Sequence, residues 1–188
     1  WHFDGSWDDI PPFASILTPR VLSASGGKLS VLLDSKLVNN LNPTGRIVVY
    51  GGAGNDTIRI DPTITRSAIL FGDAGFDYLY GGGGPTVLVG GEGNDWLFAG
   101  QSRNLLLGGT GADRLDGSQG DNLLMGGVTD YDANEVALSS LLAEWSATSV
   151  SYELRTSHLT AGGGLNGSYA LSVDRIHDDD AVDSINGG

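Results

Sequence analysis

The sequence contains no cysteine and has little positive charge. Without thiols, the chain can form neither disulfides nor thiolate metal sites. Ten Lys and Arg residues stand against 23 Asp and Glu residues, a formal net charge of -13, which makes nucleic acids and anionic membranes poor partners. No apolar run approaches the roughly 20 residues that a membrane-spanning helix needs, so no membrane span is expected.

The sequence also lacks the usual signatures of catalysis. Its three histidines, His2, His158 and His177, have no second ligand at zinc spacing, and no G-x-S-x-G elbow occurs. We therefore predict that the chain is not an enzyme. One acidic run, Asp178-Asp179-Asp180, leaves two interpretations open, a cation site or a solvated turn.

Glycine and aspartate are the abundant residues. There are 30 Gly, about twice the usual share of a globular protein. Among the 23 acidic residues, 19 are Asp, whose short side chain suits turns and hard-cation sites. The glycines recur with a period, which excludes a flexible linker. This composition indicates loops that bind a metal ion.

A nine-residue pattern, G-G-x-G-x-D-x-U-x with a large apolar residue at U, recurs through residues 51–127. Full copies begin at Gly51, Gly72, Gly90 and Gly108, and the last three are 18 residues apart. Weaker copies lie midway between them, with Thr or Asn in place of the sixth-position Asp. Eighteen residues therefore predict one coil of two short strands and two turns, of which only one turn carries Asp. The first interval is 21 residues, so three residues near Ile60 should bulge out.

These motifs make residues 42–127 resemble the RTX (repeats-in-toxin, hemolysin-type) calcium-binding repeats of secreted bacterial proteins. The resemblance implies an all-β fold, a right-handed parallel β-roll with 18 residues per coil. It also implies Ca²⁺ as the cofactor and a secreted or cell-surface location. The longer stretch through residue 188 resembles the C-terminal regions of large calcium-binding proteins of environmental bacteria, and that likeness implies no further chemistry.

The Asp-bearing turns have the residue types that calcium requires. Glycine permits tight turns and brings backbone carbonyls to the metal. In an extended loop the carbonyls of positions one and three face one neighbouring coil, and those of positions two and four face the other. With the Asp at position six, two stacked loops supply the six or more oxygens that Ca²⁺ prefers, whereas Mg²⁺ fits poorly. The alternative is that each Asp only caps its turn by accepting from backbone N–H groups.

We predict three or four ions in one column between consecutive loops. The predicted ligand residues are Gly51, Gly52, Ala53, Gly54, Asp56, Gly72, Asp73, Ala74, Gly75, Asp77, Gly90, Gly91, Glu92, Gly93, Asp95, Gly108, Gly109, Thr110, Gly111, Asp113 and Asp183. Asp73 replaces the second Gly of its loop, which weakens the case for the first site. On the opposite turns, Asn104 and Asn122 could offer one amide oxygen each, but Arg103 lies beside the first and Thr86 is a poor ligand, so we expect no tightly bound metal there.

The outward positions of the strands that follow the Asp-free turns are almost all apolar, and a patch of that size is not left in water. Residues 132–147 predict an amphipathic helix capped by Asp130 or Asp132. A second helix is predicted around residues 152–159 and a strand at 169–173. We expect this insert to cover the apolar strands. The alternative cover is an external partner.

The predicted organisation has five parts. Residues 1–13 form an extended arm or linker, 14–50 an N-terminal β cap leading into the roll, 42–129 the roll, 130–177 a helical or hairpin insert, and 178–188 a resumed, truncated repeat. Within the cap, strands are predicted at Ile16–Leu22, Lys28–Leu33 and Arg46–Tyr50. In the resumed repeat Asp183 takes position six, so the insert would split one nonapeptide. The chain begins at Trp1 and ends at the start of another repeat, so we expect it to be part of a longer protein.

Four aromatic residues, Tyr78, Tyr80, Trp96 and Phe98, point outward from the strands that follow the Asp-bearing turns. They could stack on sugar rings or on a protein partner, or they could simply cover one another. The leading hypothesis is a calcium-dependent structural module whose partners are other domains of its parent protein. An adhesion module that binds glycans or proteins through the aromatic face, and a self-associating solenoid, are the alternatives.

Overall fold

The computed structural model describes residues 19–25, 28–33, 36–41, 46–117 and 120–187, so the predicted arm lies outside the described residues. Strands β1 (Pro19–Ser25), β2 (Lys28–Leu33) and β3 (Lys36–Leu41) form an antiparallel sheet in that order. The sequence did not predict β3, because two Asn residues interrupt its apolar pattern and Asn is depleted in strands.

Two parallel five-stranded sheets form the body of the molecule. The first, here called the apolar sheet, contains β4 (Ile47–Tyr50), β6 (Ala68–Ala74), β8 (Thr86–Glu92), β10 (Leu105–Thr110) and β12 (Leu123–Met125). The second, here called the aromatic sheet, contains β5 (Thr57–Arg59), β7 (Tyr78–Tyr80), β9 (Trp96–Phe98), β11 (Arg114–Asp116) and β15 (Ser184–Asn186). The chain passes alternately between the two sheets, which confirms the predicted parallel β-solenoid.

The strand register follows the repeat period. Leu70 pairs with Leu88 and Leu88 pairs with Leu106, each 18 residues further along the chain. In the first coil Ile58 pairs with Leu79, and a turn at residues 62–63 accommodates the three extra residues. Asp61 closes this turn by accepting from the backbone N–H of Thr63 at 2.9 Å.

The apolar eighth position of each nonapeptide forms the core between the sheets. These side chains are at most 1% exposed in Ile58, Leu70, Leu79, Leu88, Leu97, Leu106 and Leu115. Each stabilises the fold by roughly 1.5–3 kcal/mol through burial. In the resumed repeat, Ile185 takes the same register beside Leu115 but is 54% exposed.

The insert leaves and rejoins the roll through a short antiparallel pair, β13 (Val128–Thr129) and β14 (Ile176–His177). It contains helices α1 (Glu135–Ser146) and α2 (Tyr152–Ala161), close to the two predicted helices. The cap of α1 is Asn134, whose side chain accepts from the N–H of Ala137, so the prediction of Asp130 or Asp132 was wrong. The strand predicted at 169–173 was also wrong, since that segment is irregular.

The insert covers the apolar sheet, as predicted. Ile69, Val87 and Leu107 on the outer face of this sheet are fully buried. They belong to one cluster with Leu138 and Trp145 of α1. The cover is therefore part of the chain itself, and an external partner is not needed for this patch.

A buried polar contact ties the two helices together. Glu144 of α1 is 1% exposed, and its Oε1 lies 2.7 Å from Nδ1 of His158 on α2. Its Oε2 accepts from the backbone N–H of Leu165 at 2.6 Å. Within the described part of the chain, no helix combines the length and the hydropathy needed to cross a membrane.

Candidate metal centre

The sixth-position Asp residues form a ladder along one edge of the roll. In each step, Oδ1 of one Asp accepts from the backbone N–H of the Asp in the preceding coil. The N–O distances are 2.7 Å from Asp56 to Asp77, 2.8 Å from Asp77 to Asp95, 2.7 Å from Asp95 to Asp113 and 2.9 Å from Asp113 to Asp183. Asp183 thus continues the ladder, although 70 residues separate it from Asp113.

In the four buried residues of the ladder, the second carboxylate oxygen has no protein partner. Oδ2 of Asp77, Asp95 and Asp113 is buried without a hydrogen bond, as are both carboxylate oxygens of Asp56. A buried charge without a partner is strongly unfavourable, so these oxygens require a cation or a proton. Turn capping accounts for Oδ1 only and leaves Oδ2 unexplained.

Backbone carbonyls converge on the same oxygens. A Cβ added to Gly72 would lie 2.5 Å from Asp77 Oδ2 and 2.5 Å from the carbonyl oxygen of Gly90 in the next coil. At Gly51 the corresponding distances are 3.0 Å to Asp56 Oδ2 and 2.6 Å to the carbonyl oxygen of Gly72. Glycine is therefore needed at position one because any side chain would fill the oxygen-lined gap between two coils.

The carbonyls alternate in direction as the sequence predicts. The position-three carbonyl of Ala74 faces the preceding coil and accepts from the N–H of Gly54 at 2.8 Å. That of Thr110 accepts from the N–H of Gly93, also at 2.8 Å. The position-two carbonyl of Gly52 faces the following coil and accepts from the N–H of Ala74 at 3.0 Å. Each gap is thus lined by carbonyls from both of its coils.

Position two adopts a left-handed backbone conformation. Its φ is 91° at Gly52, 111° at Gly91 and 105° at Gly109. Asp73 takes the same conformation with φ of 73°, which Asp tolerates better than most residues. Its Oδ2 accepts from the N–H of Gly52 at 2.9 Å. Asp73 in place of the second Gly therefore preserves the turn and adds a carboxylate beside the first gap, which lies between the Asp56 and Asp77 coils.

Comparison with protein families matches residues 48–59, 66–85, 84–115 and 100–128 to the RTX calcium-binding nonapeptide repeat, in four copies. This segment belongs to the RTX calcium-binding repeats. The ion implied for the oxygen-lined gaps is therefore Ca²⁺. The comparisons with curated proteins and with solved structures return no match.

The donor set of the RTX roll fits this ion. Among the described residues, no three His, Asp or Glu side chains converge on one point, so a metal here must draw most of its ligands from the backbone. Carbonyl and carboxylate oxygens in a flexible loop are the ligands of Ca²⁺ rather than of Zn²⁺ or Mg²⁺. The unpartnered Asp oxygens supply the negative charge in each gap.

On the Asp-free edge of the RTX roll, uncharged Asn side chains connect consecutive coils through hydrogen bonds. Asn104 Oδ1 accepts from the N–H of Thr86 at 3.0 Å, as an Asp does on the other edge. Its Nδ2, however, donates to the carbonyl of Ser102 at 2.6 Å and to Oδ1 of Asn122 at 2.9 Å. The amide group thus satisfies the oxygens that a cation would otherwise bind, which supports the expectation of no tightly bound metal there.

Burial raises the pKa of the metal-free ladder carboxyls. The pKa of Asp77 is raised to about 6, and those of Asp95 and Asp113 to about 7. Repulsion from the neighbouring carboxylates raises them further, and the hydrogen bond from the preceding coil partly opposes the shift. Protons and calcium therefore compete for the same oxygens.

We predict opposite pH dependences with and without calcium. A carboxyl whose pKa is higher in the folded chain binds more protons there, so the calcium-free fold loses stability as pH rises from 3.8 through about 7. In calcium-free buffer, circular dichroism should show more β-structure at pH 5 than at pH 8. Calcium affinity should instead increase over that interval. A calcium-free chain that is equally folded at both values would contradict this prediction.

The four predicted aromatic residues lie together on the aromatic sheet and largely cover one another. Tyr80 and Phe98 stack with ring centroids 4.7 Å apart, and those of Tyr78 and Trp96 are 5.3 Å apart. Arg114 lies over the Trp96 ring, 5.0 Å from its centroid. Phe76, which the sequence did not single out, extends the group with its ring 5.1 Å from that of Tyr78. All of these rings remain partly exposed.

Proposed function

We propose that the chain is a calcium-dependent structural module of a secreted or cell-surface bacterial protein, which folds when Ca²⁺ binds outside the cell. The observation that carries this proposal is the series of buried Asp oxygens without partners, one coil apart, each beside a carbonyl of the next coil. RTX repeat proteins are usually secreted, which supports the proposed location.

The proposed number of calcium ions is four per chain, arranged in one column. The gaps lie between the Asp56, Asp77, Asp95, Asp113 and Asp183 coils, and every interior Asp borders two gaps. At least two carboxylates then face each ion, with backbone carbonyls completing the six or more oxygens. The charge of the bound cation compensates the buried carboxylates.

Coupling of calcium binding to folding follows from this arrangement. Without a cation, like charges stack at the spacing of neighbouring strands, about 4.8 Å, and the Gly-rich turns are entropically costly to order. Binding free energy therefore becomes folding free energy. Extracellular calcium modules typically bind at roughly 10⁻⁴–10⁻³ M, a range that leaves the chain unfolded in a low-calcium cytosol.

A calcium titration followed by far-UV circular dichroism tests this function. We expect β-structure to increase with Ca²⁺ in the millimolar range or below, and an equal concentration of Mg²⁺ to have little effect. A full β-sheet spectrum in excess EGTA at pH 8 would refute the proposed calcium dependence.

A second candidate function is glycan binding on the aromatic sheet. A cleft of about 490 Å³ borders the stacked pair and is lined by Arg59, Tyr80, Phe98 and Gln101. Partly exposed rings beside polar side chains are suited to the flat, hydroxyl-rich faces of sugars. The mutual stacking of the rings is the observation against this candidate.

Replacing Trp96 with Ala tests the second candidate. If the aromatic sheet binds glycans, the variant should lose roughly tenfold or more of its affinity on a glycan array in calcium. Tyr152→Ala is the matched control, because this aromatic side chain is 57% exposed on α2, away from the cleft. Equal binding by both variants would remove the aromatic sheet as the binding surface.

A further inference from the structure

The last coil of the roll is assembled from two distant chain segments. The chain leaves the roll after Gly127 and returns at Asp178, and the pairing of Val128 with His177 holds the two crossing points together. Outside this pair, Asp130 bonds to Arg175 at 2.7 Å and to His177 at 2.8 Å. The two chain connections between the insert and the roll therefore lie side by side, next to the gap between the Asp113 and Asp183 coils, here called the final gap.

The leaving segment supplies the first position of this coil. The carbonyl oxygen of Gly126 accepts from the N–H of Gly109 at 3.0 Å. The same oxygen and Asp113 Oδ2 are the nearest atoms to the point where a Cβ on Gly108 would lie. The final gap thus repeats the carbonyl-carboxylate arrangement of the earlier gaps, and Asp113 Oδ2 is buried there without a partner.

The returning segment supplies the remaining positions, but one of them in a different chemical form. In the earlier coils, a backbone carbonyl at position three accepts from the position-four N–H of the preceding coil, as Thr110 does from Gly93. In the final coil, the N–H of Gly111 donates instead to Oδ2 of Asp179 at 2.5 Å. A carboxylate thus stands where the other coils present a neutral carbonyl.

The final gap therefore differs from the others in charge. Asp113 borders it from one coil, and Asp179 and Asp183 border it from the other. Both carboxylates accept from backbone N–H groups of the same turn, Asp179 from Gly111 and Asp183 from Asp113, which places them side by side along this gap. The neighbouring acidic residues Asp178 and Asp180 are exposed, so only one member of the acidic run faces the gap.

We propose that the final gap is a calcium site in which the Asp179 carboxylate takes the place of the position-three backbone carbonyl, and that its occupation fixes the insert on the apolar sheet. This inference rests on the proposed calcium-binding function. A cation between the Gly126 carbonyl of the leaving segment and the carboxylates of Asp179 and Asp183 on the returning segment joins the two ends of the insert, so docking of α1 depends on this site more than on the other gaps. The extra charge favours tighter binding of a hard cation.

Hydrogen exchange measured by mass spectrometry at increasing free Ca²⁺ tests the inference in the intact chain. In Asp179→Asn, the amide oxygen can still accept from Gly111, but the charge is lost. We expect peptides of α1 to require roughly tenfold more Ca²⁺ for protection than in the wild type. Peptides of β7–β9 should keep their wild-type midpoint and so report that the roll has folded.

Asp180→Asn is the matched control. It removes the same charge from the same acidic run, and Asn tolerates the positive φ of 62° at this position. Asp183→Asn should reproduce the Asp179→Asn result. Identical α1 midpoints in Asp179→Asn and Asp180→Asn, or an equal shift in α1 and β7–β9, would overturn the inference alone. A wild type without any calcium-dependent protection would overturn the proposed function as well.

Discussion

Replacing Asp95 with Asn will raise the Ca²⁺ concentration needed to fold the roll by about tenfold or more, and will stabilise the calcium-free chain. Asp95 borders two gaps, and its buried Oδ2 has no protein partner. The Asn amide oxygen can still accept from the N–H of Asp77, so the change removes charge while keeping the ladder hydrogen bond. Without calcium, the lost charge is a buried carboxylate whose pKa burial raises to about 7.

The change in folding stability should have opposite signs with and without calcium if Asp95 is a calcium ligand, but the same sign if Asp95 is only structural. Denaturation followed by circular dichroism, in saturating calcium and in EGTA at pH 8, measures both effects. Asp121→Asn is the control, since this side chain is 55% exposed and only pairs with Arg103 at the surface. Its replacement should change stability by less than about 1 kcal/mol in either condition. An Asp95→Asn variant that is destabilised equally in both conditions would contradict the assignment of Asp95 as a ligand.

Replacing Trp145 with Ala will lower the free energy of unfolding in calcium by about 3–5 kcal/mol. Its side chain is 2% exposed within the cluster that covers the apolar sheet. Its Nε1 donates to the carbonyl of Asp121 at 3.0 Å, and the guanidinium of Arg155 lies 5.3 Å from its ring centroid. Truncation therefore leaves a cavity between the insert and the roll.

Urea unfolding in saturating calcium measures this effect. Val136→Ala on the same helix is the control, because that side chain is 63% exposed and its truncation should cost less than about 0.5 kcal/mol. Similar small losses in the two variants would show that α1 does not pack on the apolar sheet in solution.

The regular part of the fold could be predicted because one spacing encodes several features at once. The 18-residue interval between Gly72, Gly90 and Gly108 fixes the coil length, the strand register and the alternation of the carbonyls. The apolar residues outside the core, such as Val87 and Leu107, revealed that the sheet needed a cover. Each of these features repeats, so a single misleading residue does not change the prediction.

The parts that were missed depend on contacts that occur once. Strand β3 pairs with β2 despite two Asn residues, because sheet context overrides local propensity. Asn134 caps α1 although Asp130 and Asp132 have equally suitable side chains, and those two are engaged by Arg175 and Thr129. In both cases a partner distant in sequence, or an adjacent turn, decides between residues of similar propensity.

At the metal centre, the position of Asp179 likewise could not be predicted from the sequence pattern. Its role in replacing a backbone carbonyl depends on how the chain returns through β14, which no nonapeptide position predicts. Asp183, by contrast, could be predicted, because its spacing to Ile185 repeats the spacing between positions six and eight in the other copies. A motif therefore predicts the ligands that follow the repeat, whereas Asp179, which departs from the repeat, could be proposed as a ligand only from the structure.

The most direct test of the calcium column is the number of ions bound during folding. Equilibrium dialysis with radioactive calcium, combined with circular dichroism on the same samples at pH 8, measures both quantities. We predict that about four Ca²⁺ ions bind per chain, one for each gap between the five Asp of the ladder, over the concentration range in which β-structure forms. A fully folded roll with no bound calcium would contradict it.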